Sequence, residues 1–251
     1  MRSGLHQVAD GVHRYADGLV NWYAVEEGGE LTIIDTGWRR SWPHIEQTVA
    51  HLGRSLGDVR AILLTHGHAD HLGGAEATRT ATGAPVHVHR REEGRAKGTA
   101  KGASSFALVP RLLPHLWRPS ALGFVLHATA QGFMNPRWVR EVVTFDGGEP
   151  LDVPGRPTPV ATPGHTDGHT AYHLSEQGLL CSGDALVTLD VLTRREGPRL
   201  MPAAVNDDPH EAARSLALLE PLDAGLLLPG HGEPWTGTPA AAVALARAAA
   251  P

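Results

Sequence analysis

The sequence predicts one mixed α/β domain of 251 residues. Three observations predict it. Short β-type runs and amphipathic helical runs alternate from end to end, with no fixed repeat and no composition shift that would mark a linker. Hydrophobic residues make up 41% of the chain, enough to bury a substantial core. The 29 glycines and 19 prolines cut it into many short elements joined by turns.

Taken in order, Val12 to Tyr15, Trp22 to Val25 and Leu31 to Asp35 read as strands separated by glycine turns. SWPHIEQTVAHLG reads as a helix: Ser41 caps it, Pro43 sits in its first turn, and Ile45, Val49 and Leu52 share a face. AILLT (61–65) is a buried strand that delivers the chain to a histidine cluster, and a helix follows from about Leu72 to Thr82. PVHVH (85–89) and VVTF (142–145) are further strands, and TAYHLSEQGLLCSGDA is a hairpin turning at Glu176 to Gly178. DDPHEAARSLALLEPL is a helix capped by the aspartate before Pro209, LLLPGHG (226–232) is a strand, and an alanine-rich helix follows it. The stretch from about 90 to 140 begins polar, turns apolar and aromatic, and has a helical period broken by prolines.

Composition excludes several functions. A formal net charge of -5 argues against nucleic acid as a partner and for a small-molecule substrate. No run is long enough to span a bilayer, so no membrane partner is expected; the most apolar region, FALVPRLLPHLW, is cut by Pro110, Arg111 and Pro114. Cys181 is the single cysteine, and the first residues lack the apolar core of a signal peptide. Both point to a reducing, cytoplasmic setting.

THGHADHLGG (65–74) packs His66, His68, Asp70 and His71 into six positions. Ordinary folding has no use for this: adjacent protonated imidazoles repel, and a buried carboxylate needs a partner. A metal ion satisfies all four. Past the end of a strand, side chains two apart point the same way, Gly67 lets the backbone turn, and His71 falls out of phase. Asp70 is placed near the start of the next helix, where a carboxylate is favoured. The spacing suggests two neighbouring sites, one served by His66 and His68, the other by Asp70 and His71. Three further ligand types each follow a β run beside a glycine: His165 in TPGHTDGHT, Asp184 in CSGDAL and His231 in LLPGHG. This nitrogen and oxygen set, without a thiolate, suits zinc, and also iron or manganese. The eleven histidines outside the set (16 less five) read as surface or core residues, His169 and His173 included.

THGHADH, PGHTDGHT, SGDA and LLPGHG together resemble the metallo-β-lactamase-fold hydrolase superfamily, in the family's order from about Asp35 to His231. The resemblance implies an α/β fold, a four-layer αβ/βα sandwich with the site at one edge between two sheets. It makes residues 1–251 one hydrolase domain with a helical insertion at about 90–140. It implies two divalent metal ions, most simply zinc, with His66, His68 and His165 on the first. Asp70, His71 and His231 hold the second, Asp184 bridges them, and Asp35 of IDTG supports the site from behind.

The chemistry so implied is hydrolysis by a hydroxide bridging two metals, with Asp70 orienting it and accepting its proton. No serine or cysteine nucleophile motif competes. Departures from the family narrow the substrate. Zinc β-lactamases carry a cysteine or serine where Asp184 stands. Glyoxalase II has a helical C-terminal region for glutathione, and only twenty residues follow His231 here. Homoserine lactonases have a tyrosine where Val187 stands, and nuclease members add extra domains or basic surfaces. A small ester, thioester or lactone remains as the expected substrate. The alternatives are a mononuclear iron enzyme resembling persulfide dioxygenases, using His66, His165 and Asp184, a phosphodiesterase variant of the same site, and a non-catalytic metal-binding protein. RREGPR (194–199) reads as a solvated loop, with an arginine anchor for an anionic substrate as the second reading. The segment from about Ser104 to Phe133 reads as a helical lid forming an apolar acyl pocket that favours hydrophobic acyl chains, with a homodimer contact as its rival.

Overall fold

The computed structural model describes residues 4–100, 103 and 105–249; positions 101, 102 and 104 of the expected insertion lie outside them. Two sheets face each other. The first has seven strands in sequence order: β1 (Gly4–Ala9), β2 (Val12–Asp17), β3 (Val20–Glu27), β4 (Glu30–Ile34), β5 (Val59–Leu63), β6 (Val86–His89) and β7 (Val143–Phe145). β1 to β4 form an antiparallel meander, whereas β4 to β7 run parallel, and a helix fills each of the first two crossovers: α1 (Trp42–His51) and α2 (Ala75–Thr82). The third crossover is the long one, with α3 (Glu93–Ala96), α4 (Val109–Leu112) and α5 (Pro119–Ala130).

The second sheet holds β8 (Thr158–Ala161), β9 (Thr170–Leu174), β10 (Leu179–Gly183), β13 (Leu226–Pro229) and β14 (Trp235–Thr236), in the order β14-β13-β10-β9-β8. A two-stranded ribbon, β11 (Val187–Leu189) with β12 (Glu196–Arg199), stands beside it, and α6 (Pro209–Ser215) and α7 (Pro239–Ala248) complete the chain's helices.

Alternation of side chains along these strands builds four layers. Trp22, Ile33 and Ile62 pack outward with Ile45 and Val49 of α1. Tyr23, Val25, Ile34 and Leu63 face inward against Tyr172, Leu174, Cys181 and Leu228 of the second sheet. Leu180 and Leu227 turn the other way, onto Leu216 and on Val243 of α7. The expected sandwich is the observed one. Cys181 is buried between the sheets as a small apolar residue. Among the described residues no helix is long and apolar enough to cross a membrane.

Several local expectations need correcting. Ser41 occupies the N-cap position of α1 but makes no cap bond; its hydroxyl donates to Asp17 instead. The helix after the histidine cluster begins at Ala75 rather than Leu72, because residues 68–74 are spent in turns, so Asp70 is not in its first turn. β1, β8, β11, β12 and β14 carry too little alternation to be seen in advance. Residues 196–199 of RREGPR are paired strand rather than loop. Asp208 caps α6 as read, accepting from the N–H groups of His210 and Glu211 at 2.9 Å each.

Candidate metal centre

Parallel strands bring their C-terminal ends to one edge of a sheet. β4 and β5 are parallel in the first sheet; β8, β10 and β13 point one way in the second. Asp35 follows β4, the His66–His71 cluster follows β5, and His165, Asp184 and His231 follow β8, β10 and β13. All seven expected ligands are buried and converge at this edge. They form three overlapping groups able to hold a metal: His66, His68 and His165; His66, His71 and Asp184; Asp70, His71 and His231.

In the first group, His66 Nε2 lies 3.0 Å from His68 Nδ1 and 3.2 Å from His165 Nε2, and His68 Nδ1 lies 2.9 Å from His165 Nε2. Four ligands at Zn–N bond lengths would sit roughly 3.3 Å apart, within a few tenths of an ångström of this triangle. Asp184 faces both halves of the centre. Its Oδ2 is 3.3 Å from His165 Nε2 and 3.2 Å from His231 Nε2, and its Oδ1 is 3.4 Å from His71 Nε2. Asp70 Oδ2 is 3.6 Å from His231 Nε2.

The hydrogen-bond network fixes where the protons sit. Thr65 donates its hydroxyl to Asp35 Oδ2 at 2.8 Å, so it can only accept from His66 Nδ1 at 3.0 Å. His71 Nδ1–H donates to Asp35 Oδ2 at 2.8 Å. His165 Nδ1–H donates to Asn206 Oδ1 at 2.8 Å, and that amide is oriented because its nitrogen donates to the Met201 carbonyl. His231 Nδ1–H donates to the Leu19 carbonyl. Each of these rings therefore turns its Nε2 inward, onto the others and onto two carboxylates. His71 Nε2, His68 Nε2 and Asp184 Oδ1 are buried without a hydrogen-bond partner. Buried ring nitrogens and carboxylates converging at one point need cations among them, protons or metal ions, and the nitrogen and oxygen donor set fits divalent metal ions.

The titration behaviour divides the rings into two groups. Burial, reinforced by neighbouring imidazoles, holds His66 and His68 well below the ordinary histidine range. Burial lowers His165 as well. For His71, burial is outweighed by Asp184, Asp35 and Asp70, which raise it well above that range; for His231, Asp184 outweighs burial. Burial opposes ionisation of Asp184, yet His231 and His71 hold it well below the usual carboxylate range.

Asp35 sits where it was expected, behind His71 and Thr65, in a left-handed backbone conformation at φ 58°. His169 is not a ligand, in line with its structural reading, but it belongs to the site. Its Nε2 accepts from the Asp184 N–H at 3.0 Å, leaving no lone pair for a metal. His173 lies away from the centre, its Nε2 donating to the Asp223 carbonyl at 2.9 Å. Gly67 lacks a side chain for a reason other than the one expected: a Cβ there would meet Arg95 Cγ at 2.7 Å. At Gly230 a Cβ would stand 2.2 Å from Asp184 Oδ1.

Two supports were illegible in the sequence. Buried Glu92 accepts from Gly67 N at 2.8 Å and Gly168 N at 3.0 Å, tying the His66–His68 loop to the His165 loop. It sits in RREEGRAKG, at the polar start of the 90–140 stretch. Asn206, in AVNDDP, carries nothing in the sequence to mark it as the partner of His165.

The insertion lies over this centre. Leu108, Leu112, Phe124 and Phe133 form an apolar wall with Val191, Met201 and Val205, closing a cavity of about 20 Å³ above His68, Asp70, His165 and Asp184. Ser105 Oγ donates to the Phe133 carbonyl at 2.6 Å, and Arg111 Nη1 to the Asn206 carbonyl at 3.1 Å. Trp117 is not part of that wall; it is 76% exposed.

Comparison with known proteins agrees with the geometry. Along 254 residues the chain is 31% identical to the probable metallo-hydrolase YflN of Bacillus subtilis, covering 94% of this chain and 90% of that protein. It is 30% identical over 174 residues to a hydroxyacylglutathione hydrolase of Cereibacter sphaeroides, covering 69% of this chain and 50% of that protein. Among solved structures, a metallo-beta-lactamase family protein of Thermus thermophilus superimposes with a TM-score of 0.65 at 28% identity, over 95% of this chain and 79% of that one. The profile of the metallo-beta-lactamase superfamily matches residues 15–231, which takes in every residue of the centre, and the chain belongs to that superfamily.

Proposed function

We propose that this metallo-hydrolase acts on a small ester, thioester or lactone with two divalent metal ions. The observation that carries the reading is Asp184, one carboxylate facing His165 on one side and His231 and His71 on the other. His66, His68 and His165 would hold the first ion, Asp70, His71 and His231 the second, with Asp184 shared. Zinc suits these donors; iron and manganese do as well. Bound there, the ions would supply an acidified water and a Lewis acid for the carbonyl oxygen of the substrate. Asp70 lines the cavity and accepts the proton that the attacking water gives up. His169 and Asn206 hold Asp184 and His165 in place, and the apolar wall keeps bulk water out. Cys181 takes no part, since burial pushes its thiol up and it faces the core.

The relative named a hydroxyacylglutathione hydrolase supports a hydrolytic reaction. A mononuclear iron oxidase would use only His66, His165 and Asp184; the closed group of Asp70, His71 and His231 favours the binuclear hydrolase. Elemental analysis of protein purified without chelator is expected to give about two equivalents per chain. A firm single equivalent, unchanged by added zinc, iron or manganese, overturns the binuclear reading. Asp184→Asn is expected to weaken both sites, and His231→Ala chiefly the second. A panel of thioesters, lactones and phosphodiesters, with oxygen uptake followed in parallel, separates the hydrolase from its rivals.

A further inference from the structure

Beside the metal centre lies a second, larger cavity of about 510 Å³, within the size range of small-molecule sites. Its charged lining comes from three places: Arg118 where the lid helix α5 begins, Arg195 just before β12, and Arg199 in β12. Its apolar lining includes Leu200, Ala213 of α6 and Ala246 of α7.

What sets these arginines apart is that three of them line one cavity without a carboxylate partner. Arg14, Arg54, Arg60, Arg79, Arg90 and Arg95 each pair with a carboxylate. Arg118, Arg195 and Arg199 have no carboxylate partner among the described residues. Arg118 stacks its guanidinium over Trp117 at 5.0 Å. Arg199 is braced by the Gly197 carbonyl, to which its Nε donates at 2.9 Å, and by the Glu196 carbonyl. Asp190 is the one acid in the lining, and its Oδ1 is already engaged by the N–H groups of Leu192 at 2.8 Å and Thr193 at 3.0 Å. The lining thus carries three positive charges against one negative, a net +2, on a chain of formal net charge -5. Guanidinium forks left without a carboxylate beside an apolar floor suit an anionic group borne on an organic chain.

The cavity adjoins the reaction site. Met201 lines both this cavity and the small one over the metals. Asn206 lines it too, and is the residue that orients His165. A substrate part larger than a few atoms cannot lie in a space of about 20 Å³ above the ligands. Its bulk must extend elsewhere, and the neighbouring cavity across Met201 is built for a charged end.

We propose that this arginine-lined cavity binds the anionic end of the substrate's leaving group, which makes the substrate a short acyl ester or thioester of a phosphate- or carboxylate-bearing carrier. The assignment rests on the hydrolase reading. The acyl carbonyl lies at the metals, the carrier crosses Met201, and its anion meets Arg118, Arg195 and Arg199.

Three thioesters with one acyl group test it on the metal-loaded enzyme: acetyl-coenzyme A (phosphates), S-acetylglutathione (carboxylates) and S-acetyl-N-acetylcysteamine (neutral). One anionic thioester is expected to exceed the neutral one in kcat/KM by about tenfold or more, and which of them does so identifies the anion. Arg118→Gln with Arg195→Gln is expected to bring that ratio close to one; Arg195→Glu is a second variant at an exposed position, expected to lower it as well. Equal rates on all three thioesters in the wild type, or a ratio that survives both variants, overturns the proposal. Binding is read separately by calorimetry with desulfo-coenzyme A and S-methylglutathione, which carry the same anions and no free thiol for the metals. One of them is expected to bind the wild type and to weaken about tenfold or more in the double variant. If no thioester is turned over, the thioester reading falls and calorimetry decides the cavity by itself. Arginine-dependent binding sustains the anion site, and absence of binding to the wild type removes it.

Discussion

Asp35 and His71 form a carboxylate–imidazole pair in which His71 Nδ1–H donates to Asp35 Oδ2 at 2.8 Å, and this fixes the ring with Nε2 facing Asp184. Asparagine tolerates the left-handed backbone of position 35 but can present an N–H to His71, moving the ring proton to Nε2. Asp35→Asn is expected to weaken the second metal site by about 10- to 100-fold, with the fold retained. Competition against a chromophoric chelator measures it, and unchanged affinity removes Asp35 from the support of the centre.

His169 acts on Asp184 through the backbone, accepting its N–H at 3.0 Å while its own Nδ1–H donates to Thr162 Oγ1 at 2.8 Å. His169→Phe leaves that buried N–H unsatisfied, which is expected to destabilise the fold by about 1–3 kcal/mol. Metal stoichiometry at saturation is expected to hold. Loss of a full equivalent at saturating zinc, seen by elemental analysis, would instead make His169 a ligand.

Proton balance sets the pH dependence of the metal-free protein. His66, His68 and His165 are lowered by burial, while in the unfolded chain they titrate near about pH 6.5. Below that pH the unfolded chain binds protons that the folded chain refuses, so their contribution to stability falls as pH falls. His71 and His231 run the other way. Burial lowers them, but Asp184 and its neighbours raise them further, so their contribution is full below the unfolded value and is lost as pH rises through the folded one. His71, held well above the ordinary histidine range, therefore holds a proton near neutrality that metal ligation displaces. Adding zinc to metal-free protein in weakly buffered indicator solution is expected to acidify it, less so at higher pH. No acidification near neutrality contradicts this proton assignment.

The lid is filled rather than hollow. Phe124 is 5% exposed and closes the cavity of about 20 Å³ over the ligands, so the apolar wall read from the sequence exists without room for a long acyl chain. On the proposed reading, short acyl groups are expected to be favoured over long hydrophobic chains. Phe124→Ala is expected to raise kcat/KM for hexanoyl relative to acetyl thioesters by about tenfold. Leu126→Ala, on the exposed face of the same helix, is expected to leave that ratio where it is. Equal ratios in both variants would detach Phe124 from the acyl site.

The sequence by itself marked seven candidate ligands and a mixed α/β domain, and its resemblance to the superfamily implied the layered sandwich that the structure shows. Glycine-flanked histidines and aspartates after apolar runs are local signals, and strand, turn and ligand lie within a few residues of each other, as in AILLTHGH and LLLPGHG. Tertiary structure alone decided the rest. Glu92 supports two ligand loops because its helix start meets Gly67 and Gly168, partners 25 and 76 residues away. Asn206 orients His165 from 41 residues away, and His169 gives its lone pair to a backbone N–H that no local pattern places beside it. The lid's two faces were equally hidden. Phe124 and Trp117 are alike in the sequence, and only packing against Met201 and Val191 turned one inward and left the other in solvent. Candidate ligands are written in residue type and nearest neighbours, whereas proton positions, supports and cavity size depend on which distant segments the sheets bring together.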